Sequence, residues 1–278
     1  MKKIVVTTDF SENSKKGILF AIQLASQTDC ELIFYNVVSI YMPTIWDNVY
    51  YNEFQTGELE RSQSFLDLFI KAILVKGKFE IQNYKCVCEV GISASNQIIE
   101  YSKNIHADYI CVSNTGAGKL IQMFGTVASE LIAFCPIPVI IVPKKYKTQP
   151  VSTLFFASDF KDFNYELKKI EKFNVDLKTK LSVFHYDYNW FLNSNKSKFE
   201  KICNENKAEV IDFHLRKLDS GSPLILHIEK DILKTKPSMV VVFTKQNRNW
   251  FNRLFLSSLS AELAFDIKTP MLVFKKQK

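Results

Sequence analysis

The feature that most constrains this chain is that its pattern occurs twice. The opening segment KKIVVTTDFSENS is matched from residue 152 by STLFFASDFKDFN, each an apolar run ending in Asp-Phe, at Asp9-Phe10 and Asp159-Phe160. ELIFYNVV, residues 31–38, returns as KLSVFHYD, residues 180–187. FGTVASELIAFCPIPVIIVPKK, residues 124–145, returns as LSSLSAELAFDIKTPMLVFKK, residues 256–276. Glu130 and Glu262, and likewise Pro138 and Pro270, stand 132 positions apart, whereas the opening segments are 150 apart, so the second copy is 18 residues shorter in its middle. Three matches in one order make a tandem repeat, and 278 residues with 47% hydrophobic content suffice for two globular domains.

Each copy alternates strand and helix patterns. In the first, IVVTT reads as a strand and SENSKKGILFAIQLASQ as a helix with Ser11 as N-cap and Ile18, Ala21, Ile22 and Ala25 as its apolar stripe. The strand ELIFYNVV follows. A helix is then predicted over residues 55–76 on the spacing of Phe65, Leu68, Phe69 and Ala72. YKCVCEVG, DYICVS and PVIIV are further strands, separated by the helices SASNQIIEYSKNI and TVASELIAF. The second copy repeats the order with a shorter second helix near residues 196–206. Five apolar strands separated by helices predict an α/β fold in which each copy builds a five-stranded, mostly parallel sheet covered on both faces. The polar, proline-ended KKYKTQP, residues 144–150, is the natural linker, giving expected domains over 1–145 and 151–278.

The segment SNTGAGKLIQMFGT, residues 113–126, poses the chemical question. A phosphate-binding P-loop requires a glycine where Ser113 stands and a Ser or Thr where Leu120 follows Lys119, so that motif is excluded. Taken with the strand ending in Asp-Phe-Ser, the strand ending near Val37 and the Gly-Thr helix followed by CPIPVIIVP, the chain resembles a tandem universal stress protein, more closely over 1–145 than over 151–276. The resemblance implies Rossmann-like units whose ATP-binding branch uses an Asp after the first strand, a Val at the end of the second, and a Gly-x2-Gly-x9-Gly-Ser/Thr loop.

Asp9 and Val37 fall on the first two positions. Aligned on Gly116, the loop reads Ser113-x2-Gly116-x8-Gly125-Thr126, one residue short and with serine for the first glycine; Gly118 adds a further flexible point. Aligned on Gly125 with the full spacer, Val112 and Thr115 take the earlier glycine positions. The resemblance therefore implies Asp9, Val37, Ser113, Gly116, Gly118, Gly125 and Thr126 as the nucleotide-contacting set, with ATP and an accompanying Mg ion as the cofactor. Glycine amides and a helix N-terminus would cradle phosphate, and the carboxylate would accept from ribose hydroxyls or an adenine amine. Read alone, Asp9 and Thr126 serve equally well as helix caps, and Val37 as a core residue. In the second copy Asp159 persists. Its loop reads Thr244-x2-Asn247-x9-Ser257-Ser258 without glycine, and Tyr186 replaces Val37, which disfavours a nucleotide there.

The remaining chemistry is sparse. His106, His185, His214 and His227 have no Asp or Ser partners at recognisable motif spacing, so no catalytic machinery is expected and a weak ATPase is the least favoured class. The six cysteines lie mostly in apolar runs without a CxxC pair, as buried reduced thiols do, and no metal site is expected. The formal charge of +7 is confined to the second copy, where 22 Lys and Arg outnumber 15 Asp and Glu over residues 151–278; scattered lysines without interleaved aromatics disfavour nucleic acid. The start MKKIVVTTDF lacks the apolar core of a secretory signal, and no stretch is long enough to span a bilayer, so a cytoplasmic protein is expected. A regulatory or ligand-sensing protein of the stress response is the leading reading. The alternative is an interaction or scaffold module without ligand. PVIIV and PMLVF, the equivalents of edges that pair in the family, would join the copies within the chain, with homodimerisation or a further protein partner beyond that.

Overall fold

The computed structural model describes residues 1–40, 48–113, 126–187, 193–218, 221, 223–244 and 268–276. The chain divides into two units, Met1–Thr148 and Gln149–Lys278. Unit 1 runs β1 (Lys2–Thr7), α1 (Ser14–Ala25), β2 (Cys30–Val38), α2 (Asn48–Gly77), β3 (Tyr84–Val90), α3 (Ala94–Asn104), β4 (Tyr109–Ser113), α4 (Thr126–Phe134) and β5 (Val139–Val142). Its strands lie in the order β3-β2-β1-β4-β5, each neighbouring pair parallel. Val5, Val6, Ile33, Phe34 and Ile140 are fully buried, the pattern of strands covered on both faces. The chain leaves β1 towards β2 and later returns to the other side at β4. That reversal opens a crevice at the carboxyl ends of β1 and β4.

Unit 2 runs β6 (Thr153–Ala157), α5 (Phe163–Asn174), β7 (Lys180–Asp187), α6 (Asn193–Glu205), β8 (Ile211–Lys217), α7 (Leu224–Thr235), β9 (Met239–Thr244) and β10 (Met271–Lys275). Its order, β8-β7-β6-β9-β10, is again parallel throughout and places the strands as in unit 1. The register also fixes which residues correspond. Thr7 lies opposite Tyr35 and Ala157 opposite Phe184, so Asn36 and Val37 correspond to His185 and Tyr186.

One helix start matches the sequence expectation and one helix face differs from it. The regular turns of α1 run from Ser14, and Ser11 caps them across a tight turn, its carbonyl accepting from the Lys15 amide at 3.3 Å. Phe10 takes a left-handed φ of 63°, the Ser11 amide donates to Asp9 Oδ1 at 3.0 Å, and Ser11 Oγ accepts from the Ser14 amide at 3.1 Å. In α2 the predicted stripe is only half used: Phe65 and Phe69 pack against Phe10, whereas Leu68 and Ala72 are exposed. Leu66 and Ile70 are fully buried, whereas Phe65 is 53% and Leu68 65% exposed. The side of α2 that packs is selected by the edge strand β3. Gln63 Nε2 donates to the Cys86 carbonyl at 3.0 Å and Gln63 Oε1 accepts from the Cys88 amide at 2.9 Å, satisfying backbone groups that the sheet leaves unpaired.

Candidate functional site

The crevice of unit 1 holds a cavity of about 280 Å³ at the carboxyl ends of β1, β2 and β4. Asp9, Val37 and Ser113, three of the residues expected from sequence, line it. Gly116, Gly118 and Gly125 lie outside the described residues, and Thr126 opens α4. Three helices begin at the cavity wall. Ser14 is the first residue of α1, Ala94 the first of α3 and Val127 the second of α4, and all three line it. Each N-terminus brings the partial positive end of its helix dipole to the space, while within the protein the first amides of α1 are taken by Ser11, Asn13 and Ser113 and those of Asn96 and Gln97 in α3 by Ser93.

The turn after β1 presents Asp9. Thr8 Oγ accepts from the Phe10 amide at 3.0 Å and shares a 2.8 Å hydrogen bond with Ser14 Oγ, while Asn36 Nδ2 donates to the Thr8 carbonyl at 2.8 Å. The ring of Phe10 meets Phe65 edge-on at 4.7 Å and Phe69 at 5.5 Å, which holds the left-handed turn in place. Asp9 is exposed, and among the described residues no cation pairs with it. Thr8, Ser14 and Asn36 were not picked out from sequence. Asn36 carried a signal, as the one polar side chain in the apolar core of ELIFYNVV; the two hydroxyls carried none.

Ser113 is engaged away from the cavity. Its Oγ accepts from the Gly17 amide at 2.9 Å and donates to the Ser14 carbonyl at 3.3 Å, and the Cys111 thiol reaches the Gly17 carbonyl at 3.6 Å. The hydroxyl thus ties β4 to the first turn of α1. A side chain at residue 17 would collide with it, since a Cβ there would stand 2.6 Å from Ser113 Oγ. On the far wall, Tyr35 Oη donates to Glu89 Oε2 at 2.8 Å and its ring stacks on Tyr101 at 4.4 Å; burial first, then Glu89, pushes the phenol well above its usual range. Ser95 donates to Glu130, joining α3 to α4 behind the cavity.

Unit 2 builds the same turn and fills it differently. The Phe160 amide donates to Ser158 Oγ at 3.1 Å, the Lys161 amide to Asp159 Oδ1 at 3.1 Å, and φ at Phe160 is 60°. His185 takes the place of Asn36, its Nδ1 donating to the Ser158 carbonyl at 2.9 Å. Here, however, the carboxylate has an internal cation. Lys276 Nζ lies 3.2 Å from both oxygens of Asp159 and 3.4 Å from Oε1 of Glu166, which is almost fully buried. Burial opposes the charge on Asp159, but the Lys161 amide and the Lys276 ammonium leave its carboxyl below the usual range. Burial keeps Glu166 above that range despite the same lysine. Tyr186 Oη and Arg216 Nε each reach Asp231 Oδ2 at 2.9 Å, so the residue standing where Val37 stands in unit 1 belongs to an ion-pair network. The cavity of unit 2, also about 280 Å³, opens beside Phe160, His185, Lys198 and Phe199.

Among the described residues no cluster of His, Cys, Asp and Glu could hold a metal, and no helix is long and apolar enough to cross a membrane. Burial pushes the Cys86 thiol up to about 12, with Asp67 adding to the shift, and the Cys88 thiol up to about 11, so neither is a reactive thiolate near neutral pH.

A family model described as the universal stress protein family matches residues 1–143. Among solved structures the chain is similar to a universal stress protein from Archaeoglobus fulgidus, at 16% identity and a TM-score of 0.67, over 99% of this chain and 97% of that one. It is similar also to a functionally unknown protein from Pseudomonas aeruginosa, at 13% identity and a TM-score of 0.58, over 99% and 92% of the two chains. At such identities the likeness is one of fold. No curated protein matches the chain.

Proposed function

Because the chain belongs to the universal stress protein family, as a tandem pair of its units, we propose that it is a ligand-sensing regulatory protein whose first unit binds an adenine nucleotide. The observation that carries this reading is the convergence of three helix N-termini and the Asp9 carboxylate on one cavity. Helix N-termini favour anionic groups such as phosphate. A carboxylate unpaired by any described cation is an acceptor for ribose hydroxyls or an exocyclic amine. The apolar wall of Val37, Ile98 and Val112 suits a flat base.

Asp9 and Val37 would hold the nucleoside, and the starts of α1, α3 and α4 would face its phosphates. Gly116, Gly118, Gly125 and Thr126, which join β4 to α4, would supply further amides and a hydroxyl, with Mg accompanying the phosphates. Ser113 contributes indirectly, since its hydroxyl is committed to α1. In unit 2, Lys276 already occupies the corresponding carboxylate, so one nucleotide per chain is expected.

Isothermal titration of the full chain with ATP and Mg²⁺ tests the reading. Saturable heat at one nucleotide per chain is expected, weakened at least about tenfold, or about 1.4 kcal/mol, by Asp9→Ala and unchanged by Asp159→Ala. Absence of heat at millimolar ATP, or equal loss in both variants, would refute it.

A further inference from the structure

α2 is 30 residues long and carries, besides its buried stripe, a second row whose apolar side chains stay largely exposed. The buried stripe, with Leu66 and Ile70, faces the sheet and is anchored through Gln63 to β3. On the opposite side, Phe54, Glu58, Arg61, Phe65, Leu68, Ala72 and Val75 follow one another at steps of four and three. That is the 3.5-residue repeat of a seam that packs against another helix. Its second half is wholly apolar: Phe65, one edge of which meets Phe10, is 53% exposed, and Leu68 and Val75 face solvent at 65% and 79%. Soluble proteins seldom leave an ordered apolar row of this kind uncovered.

We propose that this seam is a homodimer interface, in which α2 packs antiparallel against α2 of a second copy. The charges on the helix select both the partner and the direction. Its first half carries Glu53, Glu58 and Glu60 against Arg61 alone, and its second half carries Lys71 and Lys76 against Asp67. Antiparallel pairing lays the acidic half of one copy along the basic half of the other, whereas parallel pairing stacks like on like. The same direction matches the heptad. It sets Phe65 of each copy against Leu68 of the other about the two-fold axis and carries Val75 towards Glu58, with its aliphatic stem, of the opposite chain. A seam one helix wide stands near the low end of specific interfaces, roughly 1,200 Å², so the dimer forms reversibly with concentration.

Sedimentation equilibrium of the full chain over a range of concentrations gives the test. The wild type should shift from monomer towards dimer mass as concentration rises, and Leu68→Glu and Val75→Glu should each weaken the association at least tenfold. Both side chains are mostly solvated, so circular dichroism should show the fold retained. Raising the salt should weaken the dimer, because opposite charges face each other. A monomer at every concentration, or a dimer unaffected by both variants, overturns the interface. Association that strengthens with salt overturns the antiparallel arrangement.

Discussion

Gly17 and Ser113 form the most exacting contact in unit 1, and their coupling can be worked from geometry. Gly17→Ala in an ordinary helix would gain about 1 kcal/mol of helix propensity. Here the new Cβ would lie 2.6 Å from Ser113 Oγ, while the Ser113 amide nitrogen and Cβ, at 3.5 and 3.8 Å, would be in ordinary contact. Only the hydroxyl must move. When it does, the buried Gly17 amide loses its 2.9 Å acceptor and the Ser14 carbonyl its donor. An orphaned buried N–H costs about 1–3 kcal/mol and the second bond about 1 kcal/mol, so the net loss should be about 2 kcal/mol. Ser113→Ala orphans the same groups without a propensity gain and should cost about 3 kcal/mol. In the double variant the clash is gone, the orphaned groups count once, and the propensity gain returns. Its loss should therefore be about 2 kcal/mol, some 3 kcal/mol less than the sum of the singles. Urea unfolding of the full chain would give the free energies, and amide hydrogen exchange in α1 the local effect. Losses that add to within about 0.5 kcal/mol, or a Gly17→Ala protein stabilised by the full propensity gain, would refute the reasoning.

The Lys276 clasp makes stability depend on pH in a defined direction. Lys276→Met leaves Glu166 buried without its cation and should destabilise unit 2 by about 3 kcal/mol at pH 7. Glu166 has a raised value in the folded state, so its contribution is fully present below its ordinary 4.5 and is lost as pH rises through the folded value. The variant's deficit should accordingly shrink between pH 7 and pH 5 in urea titrations, and an equal deficit at both would count against the clasp. The two stripes of α2 should also part in a mutational comparison. Leu66→Ala, at a fully buried position, should cost about 2–5 kcal/mol. Leu68→Ala should stay within about 0.5 kcal/mol in the monomer, and comparable losses at dilution would contradict the assigned face.

Local pattern and repetition carried much of this molecule. The Asp-Phe endings of IVVTTDF and LFFASDF mark two strands that end in the same left-handed turn, and the offsets between copies match the strand registers pairing Thr7 with Tyr35 and Ala157 with Phe184. Five apolar strands alternating with helices already imply parallel sheets, because a strand with no polar face must be covered on both sides. Asp9 and Val37 were singled out by the resemblance to the family's motif, and the topology sets both at the carboxyl ends of β1 and β2, where the crevice opens. What the linear order withheld were the choices made between segments distant in sequence. Phe65, Leu68, Phe69 and Ala72 fit helical periodicity as well as Leu66 and Ile70 do, and only the unpaired edge of β3, taken up by Gln63, selects which stripe is buried. The committed hydroxyl of Ser113, 96 residues from its partner Gly17, and the hold of Lys276 on Asp159, 117 residues away, arise in the same way. Periodicity acts over a few residues, whereas a hydrogen bond or ion pair between remote side chains exists only once the sheet has set the ends of its strands side by side.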